Sequence, residues 1–543
     1  MFRKIGIVLL FLSHWAMAQQ TDYFELGKQL EIISAVTETL LDNYIEEPNV
    51  EVLTNEAVKG MLKKTDRYTA FYDEQQMFEQ RLRRAGKISG IGVAVKDKDK
   101  GLSVREVFPG TPAEKKGLLP GDLIIEIDGK ALDSLNYNGK LRLLKGKPGT
   151  KVHLKILRQG KEKEFDLSRQ IIERKAVPLY KMLDDKTGYI KLNRFSSKAY
   201  SEVLNALMDL KNQGAQYLIL DLRGNPGGLL NQAIKITGLF VPKGSLVVYT
   251  KGRFEKFDKE YHTKNEPVDE EIPLAVLINK RSASASEIVS GALQDYDRAL
   301  ITGDTSFGKG LVQRYFPLKY GTHMKVTISK YYIPSGRQIQ KIDYWHRDKE
   351  GHVTRFKKDK SKVFYTKNKR RVYEHGGITP DVRFESDTLD ERIKDLIKKD
   401  AFFDFNTDYY FRHPGVKDVS ALNDEQLLKE FIAFLRKENI DPQSGYEKYL
   451  DKALEKWQKK DGQSAEAKKL EALLREIDEG DLKALRENPQ LRRQALHLIK
   501  KDLTGRYAGH KAQVEFELQD DADVRKTMEL LESGEYEKIL RKP

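Results

Sequence analysis

NKRSASASEIVSGALQDYDRALITGDTSFGKGLVQ, residues 279–313, decides the fold. It continues the apolar run PLAVLINK of 273–280, whose lack of polar alternation suits an interior strand. A serine-rich turn follows, then a helical stretch, then a second strand and a lysine between glycines, Gly308-Lys309-Gly310. Strand, sharp turn and helix, repeated, make an α/β core whose working edge lies at the strand ends. The pattern also occurs upstream. TGYIKLNRF (187–195) reads as a strand, 200–213 as an amphipathic helix with Val203, Leu204, Leu207 and Leu210 apolar, and 216–222 as a buried strand ending in Arg223-Gly224-Asn225-Pro226-Gly227-Gly228, with a further helical run to Phe240.

The chemistry of 279–313 rests on its serines and its lysine. A serine where a strand turns into a helix has an exposed hydroxyl, and the helix N-terminus favours developing negative charge. Serine is a weak nucleophile and needs a base. His262 falls in a polar loop and His323 opens a strand, neither within a motif. Lys309 is the candidate, provided that burial disfavours its charged form; flanking glycines and Phe307 suit that requirement. The competing reading pairs Lys309 with Asp304 and keeps it charged. Sequence alone does not choose among Ser282, Ser284 and Ser286.

Working outward, residues 86–172 change to short strands and turns: ISGIGVAV, GLSVREVF, PGTPAEKKGLLPGDLIIEIDG and TKVHLKILR. This stretch resembles a PDZ domain. The resemblance makes Gly90, Ile91, Gly92 and Val93 the loop and strand that hold a carboxyl terminus, with glycine-turn N–H groups on the carboxylate and a strand edge on the peptide.

PDZ, then DLRGNPGG (221–228), SASASE (282–287) and GDTSFGKGLVQ (303–313), in that order, resemble the tail-specific, or C-terminal processing, serine peptidases. The resemblance covers roughly residues 26–385. It implies a crotonase-like or ClpP-like peptidase core, a Ser-Lys dyad of Ser284 and Lys309 (309−284=25 residues apart), and Gln313 orienting the lysine. It further implies oxyanion donors at the N–H groups of Gly228 and Ala285, and substrates that are proteins or peptides with free carboxyl termini. No metal or other cofactor is expected, since neither HExxH nor GxxxxGK[ST] occurs. Two features depart from the family. Thr65-Asp66-Arg67-Tyr68-Thr69 stands where an LDPHS-like sequence is usual, and 35 residues (376−340−1=35) separate GRQIQ from GGITPD.

The expected organisation is multidomain, α/β and α+β: a signal peptide at 1–18, an N-terminal helical region at 19–85, the PDZ domain at 86–172, the peptidase core at 173–388 with a basic insertion at 341–375, and a helical region at 389–543. A chain of 543 residues is too long for one core. Arg3 and Lys4, the apolar run 5–12 and Ala16-Met17-Ala18 form a cleavable secretory signal, which implies export, with the periplasm as the expected destination. Helical periodicity runs over 26–80, and dominates again after 390 in the stripes Leu427, Leu428, Phe431, Ile432, Leu435 and Leu470, Leu473, Leu474, Ile477.

Cysteine is absent, which excludes disulfides, thiolate metal sites and a cysteine nucleophile. The net charge of +14 comes from 96 basic and 82 acidic residues spread along the chain, so no nucleic acid is expected. The insertion reads as a solvated basic segment, with weak contact to an acidic envelope surface or partner through 341–371 as the lesser reading. The alternative function is a PDZ-based scaffold with a silent peptidase fold. Composition leaves the oligomeric state open.

Overall fold

The structure, a computed structural model, describes residues 23–356, 362–384, 388–443, 447–461 and 464–541. The expected signal at 1–18 lies outside the described residues, as do KKDKS at 357–361 within the insertion. Among the described residues no helix is long and apolar enough to cross a membrane.

The chain divides into two compact units, the first comprising the residues up to Tyr72 together with 315–327, the second the remainder. In the first unit the helix Tyr23–Asn43 buries none of its residues, and Phe24, Leu30, Ile33 and Val36 face solvent. Asn49 caps the next helix, Val50–Leu62, by accepting from the Val52 N–H. The helical reading of 26–80 misses a strand, Ala70–Tyr72, which pairs antiparallel with the far segment His323–Lys325 through Ala70↔Lys325 and Tyr72↔His323. Three residues carry no period, and a partner so distant in sequence leaves no local trace.

The second unit is built on a six-stranded sheet in the order Leu179–Met182, Thr187–Lys191, Tyr217–Asp221, Leu274–Ile278, Leu300–Gly303, Val382–Arg383. The first pair is antiparallel and every other pair parallel. Such a sheet needs cover on both faces. Leu274, Val276 and Ile278 point to one face, into a core with the helices Ala199–Asn212, Leu230–Thr237 and Ala285–Asp295. Ala275 and Leu277 point to the other, where Leu518, Val524, Leu531, Tyr536 and Leu540 of the C-terminal helices close over them. The last segment of the chain is therefore a layer of the sheet's own sandwich. The preceding helices form a separate core around Phe402, Phe405, Leu427, Phe431, Leu485 and Ile499.

The five main strands of residues 86–172 lie in the order Val93–Lys98, Gly101–Val107, Leu123–Ile127, Lys151–Arg158, Lys161–Ser168, so that Val93–Lys98 is an edge. The helical region grips this domain: Asp400 pairs with Lys96 at 2.6 Å, with Lys98 at 3.1 Å and with Arg105, while the Arg105 guanidinium lies 3.9 Å from the Phe403 ring centre.

The described residues of the basic insertion form two hairpins, most of whose side chains are open to solvent. Ile342–Arg347 pairs with Val353–Arg355, and Val363–Tyr365 with Arg371–Tyr373. Part of its charge is spent inward, since Arg370 binds Asp297 and Asp381, each at 2.6 Å. His262, expected in a loop, ends the strand Lys259–His262.

Candidate active site

Ser284 sits between the strand Leu274–Ile278 and the helix Ala285–Asp295, with φ 57° and ψ −111°. A non-glycine residue at that φ is strained and persists only where its surroundings hold it. The neighbouring serines do part of the holding. Ser282 and Ser286 are fully buried, and their hydroxyls donate to the carbonyls of Leu222 (2.8 Å) and Asn225 (2.9 Å). Ser284 alone of the three stays half-buried. Two hydroxyls thus tie the turn to the DLRGN loop, and the third is presented.

A carboxylate that sequence reasoning did not assign joins the serine turn to the lysine loop. Glu287, fully buried, accepts from the Ser284 N–H (2.7 Å), the Lys309 N–H (2.9 Å), the Gly308 N–H (2.7 Å) and the Ser306 hydroxyl (2.5 Å). Burial pushes its carboxyl above the usual range, and the hydrogen bonds from Ser306 and from the backbone of Lys309, Ser284 and Gly308 work against that. The signal was present: Ser284 and Glu287 have the S-x-x-E spacing of a capping box. From the opposite side the Tyr331 hydroxyl donates to the Lys309 carbonyl (2.5 Å) and lies 3.3 Å from the Ser284 carbonyl. Nothing local in the sequence points to Tyr331.

The structure thus brings Ser284 and Lys309 to one place through their backbones. Asp304, the competing partner, pairs with Lys280 (3.3 Å) and Arg383 (3.2 Å). Lys309 is half-buried, and Gln313 is half-buried on the strand Leu311–Pro317.

The NPGG turn packs on the same serine. Gly227 has φ 95°, and a Cβ there would lie 2.6 Å from the Ala283 carbonyl oxygen and 3.0 Å from the Ser284 Cβ, so only glycine fits. Phe195 bridges Gly228: the Leu229 N–H donates to the Phe195 carbonyl (2.8 Å) and the Phe195 N–H to Gly227 (3.2 Å). That parallel pattern turns the exposed Gly228's own N–H away from Phe195. Ala285 is the first residue of its helix, so its N–H is among the donors without an intrahelical acceptor. Asn225 sets the turn, donating to the Leu192 carbonyl (2.8 Å) and accepting from the Gly227 N–H (2.9 Å).

Asp221 of the DLRG run is structural. It is fully buried against Arg223 (2.7 Å), Lys191 (3.0 Å) and the Tyr189 hydroxyl (2.7 Å), and Arg223 continues to Asp521 (2.6 Å) in the C-terminal helices. Burial alone would raise the Asp221 carboxyl; the charges of Arg223 and Lys191 outweigh it and hold the group far below its ordinary value.

The residues expected to hold a carboxyl terminus belong to the sheet domain of residues 86–172. Ile91 is buried and its carbonyl accepts from Ala113 (2.9 Å). Gly92 has φ 98° with Thr111 packed where a Cβ would be, 2.2 Å away. Val93 begins the edge strand. Asp348, Glu350 and His352 have metal-ligand spacing, but they are exposed at a hairpin turn far in sequence from this constellation.

Residues 186–344 match the model of peptidase family S41, residues 89–168 that of the PDZ domain, and residues 393–531 that of the C-terminal helical domain of probable PDZ-proteases. The chain is 36% identical to a carboxy-terminal-processing protease of Bartonella bacilliformis over 63% of this chain and 78% of that one. It is 39% identical to the carboxyl-terminal-processing protease of a Synechocystis species over 56% and 72%. A solved photosystem II D1 C-terminal processing protease is 26% identical, with a TM-score of 0.38, over 65% of this chain and 87% of that one. The chain belongs to the carboxy-terminal-processing family of serine proteases, with a PDZ domain and a helical C-terminal region.

Proposed function

We propose that the protein is an exported endopeptidase that captures the carboxyl terminus of a substrate protein at Gly90–Val93 and cleaves the chain at Ser284. The observation that carries this reading is the contrast within SASAS: two serines spent on carbonyls, and the third half-buried on a strained turn whose N–H shares a carboxylate with the N–H of Lys309.

In this mechanism the neutral Lys309 amine takes the proton of Ser284 as Oγ attacks the scissile carbonyl. The oxyanion is met by the N–H groups of Gly228 and Ala285, one such donor being worth about 3 kcal/mol of transition-state stabilisation. The C–N bond breaks, Lys309 returns the proton to the leaving amine, and an acyl group stays on Ser284. Water then attacks the ester; Lys309 takes its proton and passes it to Ser284 Oγ as the acid leaves. Gln313 orients the lysine.

The purified protein, offered an unfolded polypeptide with an apolar tail, is expected to cleave it, and to cleave the same polypeptide less well when its carboxyl terminus is amidated. Ser284→Ala is expected to abolish cleavage while leaving tail-peptide binding in place. Lys309→Arg keeps the charge and is expected to be inactive. Wild-type protein that binds tails but never cleaves would establish the scaffold reading instead.

A further inference from the structure

Three stretches meet beside the oxyanion turn: the end of the helix Glu74–Arg84, the segment leaving the PDZ domain at Arg174, and the loop 193–197. The Arg174 N–H donates to the Gly86 carbonyl (2.7 Å), the Ser197 N–H to Arg84 (2.9 Å) and the Asn193 N–H to Ala176 (2.8 Å). On one side Phe195 bridges Gly228. On the other, the Arg174 guanidinium lies 4.7 Å from the ring centre of Phe108, whose N–H bonds the Gly92 carbonyl at 2.8 Å. Arg174, Arg83 and Arg194 therefore lie between the tail-binding loop and the oxyanion turn.

Of the three, only Arg83 reaches a carboxylate, and it shares that one. Glu79 is shared between Lys145 (2.8 Å) and Arg83 (3.9 Å), and Glu173 between Lys87 (3.4 Å) and Lys198 (2.9 Å). Glu202 accepts from the Val177 N–H (2.9 Å). Among the described residues the guanidinium groups of Arg174 and Arg194 have no carboxylate partner. Arg194 keeps solvent contact, yet burial first, and then the like charges of Arg83 and Arg174, pull it below its ordinary range. Like charges held together on a rigid backbone favour an arriving anion, and guanidinium presents paired N–H groups to a carboxylate.

We propose that Arg83, Arg174 and Arg194 form a subsite for acidic side chains in the substrate segment that lies between its captured tail and the bond at Ser284. The subsite rests on the function proposed above and adds a substrate class to it: unfolded chains with aspartate or glutamate upstream of an apolar carboxyl terminus.

The test uses two unfolded polypeptides with one tail and one scissile region, joined by a glutamate-rich or a glutamine-rich segment, and the full-length protein. Wild type is expected to favour the glutamate substrate by about five- to tenfold in kcat/KM, mainly through KM, with the preference shrinking as salt rises from about 0.05 to 0.5 M. In Arg174→Gln/Arg194→Gln the ratio is expected to approach one, and in Arg174→Glu/Arg194→Glu a lysine-rich segment is expected to be favoured. Circular dichroism and melting of each variant establish that it is folded, and anisotropy of labelled substrates on Ser284→Ala protein reads binding without turnover. A wild-type ratio of one, or a preference that survives in the folded double variant, overturns the subsite. A preference that disappears when the terminal carboxylate alone is amidated assigns the arginines to that carboxylate and overturns the side-chain assignment. Cleavage of neither substrate by wild type, or of both by Ser284→Ala, refutes the underlying function as well, and is told apart by the absence of any Ser284-dependent rate.

Discussion

Ser284 and Lys309 are positioned by what their backbones touch. One carboxylate, Glu287, receives both N–H groups, and one hydroxyl, Tyr331, meets both carbonyls. Glu287→Gln keeps the volume but turns two of four acceptor positions into donors facing donors. It is expected to lower kcat by at least about tenfold and stability by about 2–3 kcal/mol, since buried donors are left unsatisfied. Rates on an unfolded substrate and urea midpoints measure the two effects; a Gln variant with wild-type kcat would remove Glu287 from the positioning role. At this level the sequence was legible only in part. The residue types and the capping-box spacing stood in plain view, but the choice among three serines came from resemblance. The physical reason is that the hydroxyls of Ser282 and Ser286 find acceptors at Leu222 and Asn225, far back in the chain.

Among strands and helices, the DLRG run shows how a loop motif becomes a fastener. Asp221 ends a sheet strand, Arg223 turns back onto it, and Asp521 and Asp523 bring the C-terminal helices to the same guanidinium. Because the Asp221 carboxyl is held below its ordinary value of 3.8, its stabilising contribution is full above that pH and is lost as pH falls further. Asp221→Asn is therefore expected to cost about 3 kcal/mol or more at neutral pH, by leaving Arg223 and Lys191 short of a partner, and to flatten the acid limb of stability against pH. Thermal melts from neutral pH down to about pH 3 check both points; an unchanged acid limb would show that the carboxylate is not held as described. Strands such as Tyr217–Asp221 were readable because they are apolar without alternation, as buried parallel strands are. The strand Ala70–Tyr72 was not, because its pairing and not its composition makes it a strand.

Across the whole molecule the C-terminal helices serve two neighbours. One part holds the PDZ sheet through Asp400, and the last part roofs the peptidase sheet. Amphipathic stripes announced helices in this region, but which surface each stripe covers is a long-range choice that periodicity does not encode. The five side chains Leu518, Val524, Leu531, Tyr536 and Leu540 are each worth about 2 kcal/mol when buried, on the order of 10 kcal/mol together. A chain ending at residue 504 is accordingly expected to aggregate, with the Ala275 and Leu277 face of its sheet exposed. Size-exclusion chromatography of that truncation decides; a soluble species with the full chain's melting temperature would contradict the layer assignment.

The proposed cleavage passes through a covalent step at one serine, Ser284. Acid-quenching the protein during turnover of a peptide ester and mapping the retained acyl mass by peptide mass spectrometry tests it most directly. An adduct is expected on Ser284 that persists in Ser282→Ala and Ser286→Ala protein that still folds, and that is absent from Ser284→Ala and Lys309→Ala. An adduct on another residue, or cleavage that continues in Ser284→Ala, would contradict it.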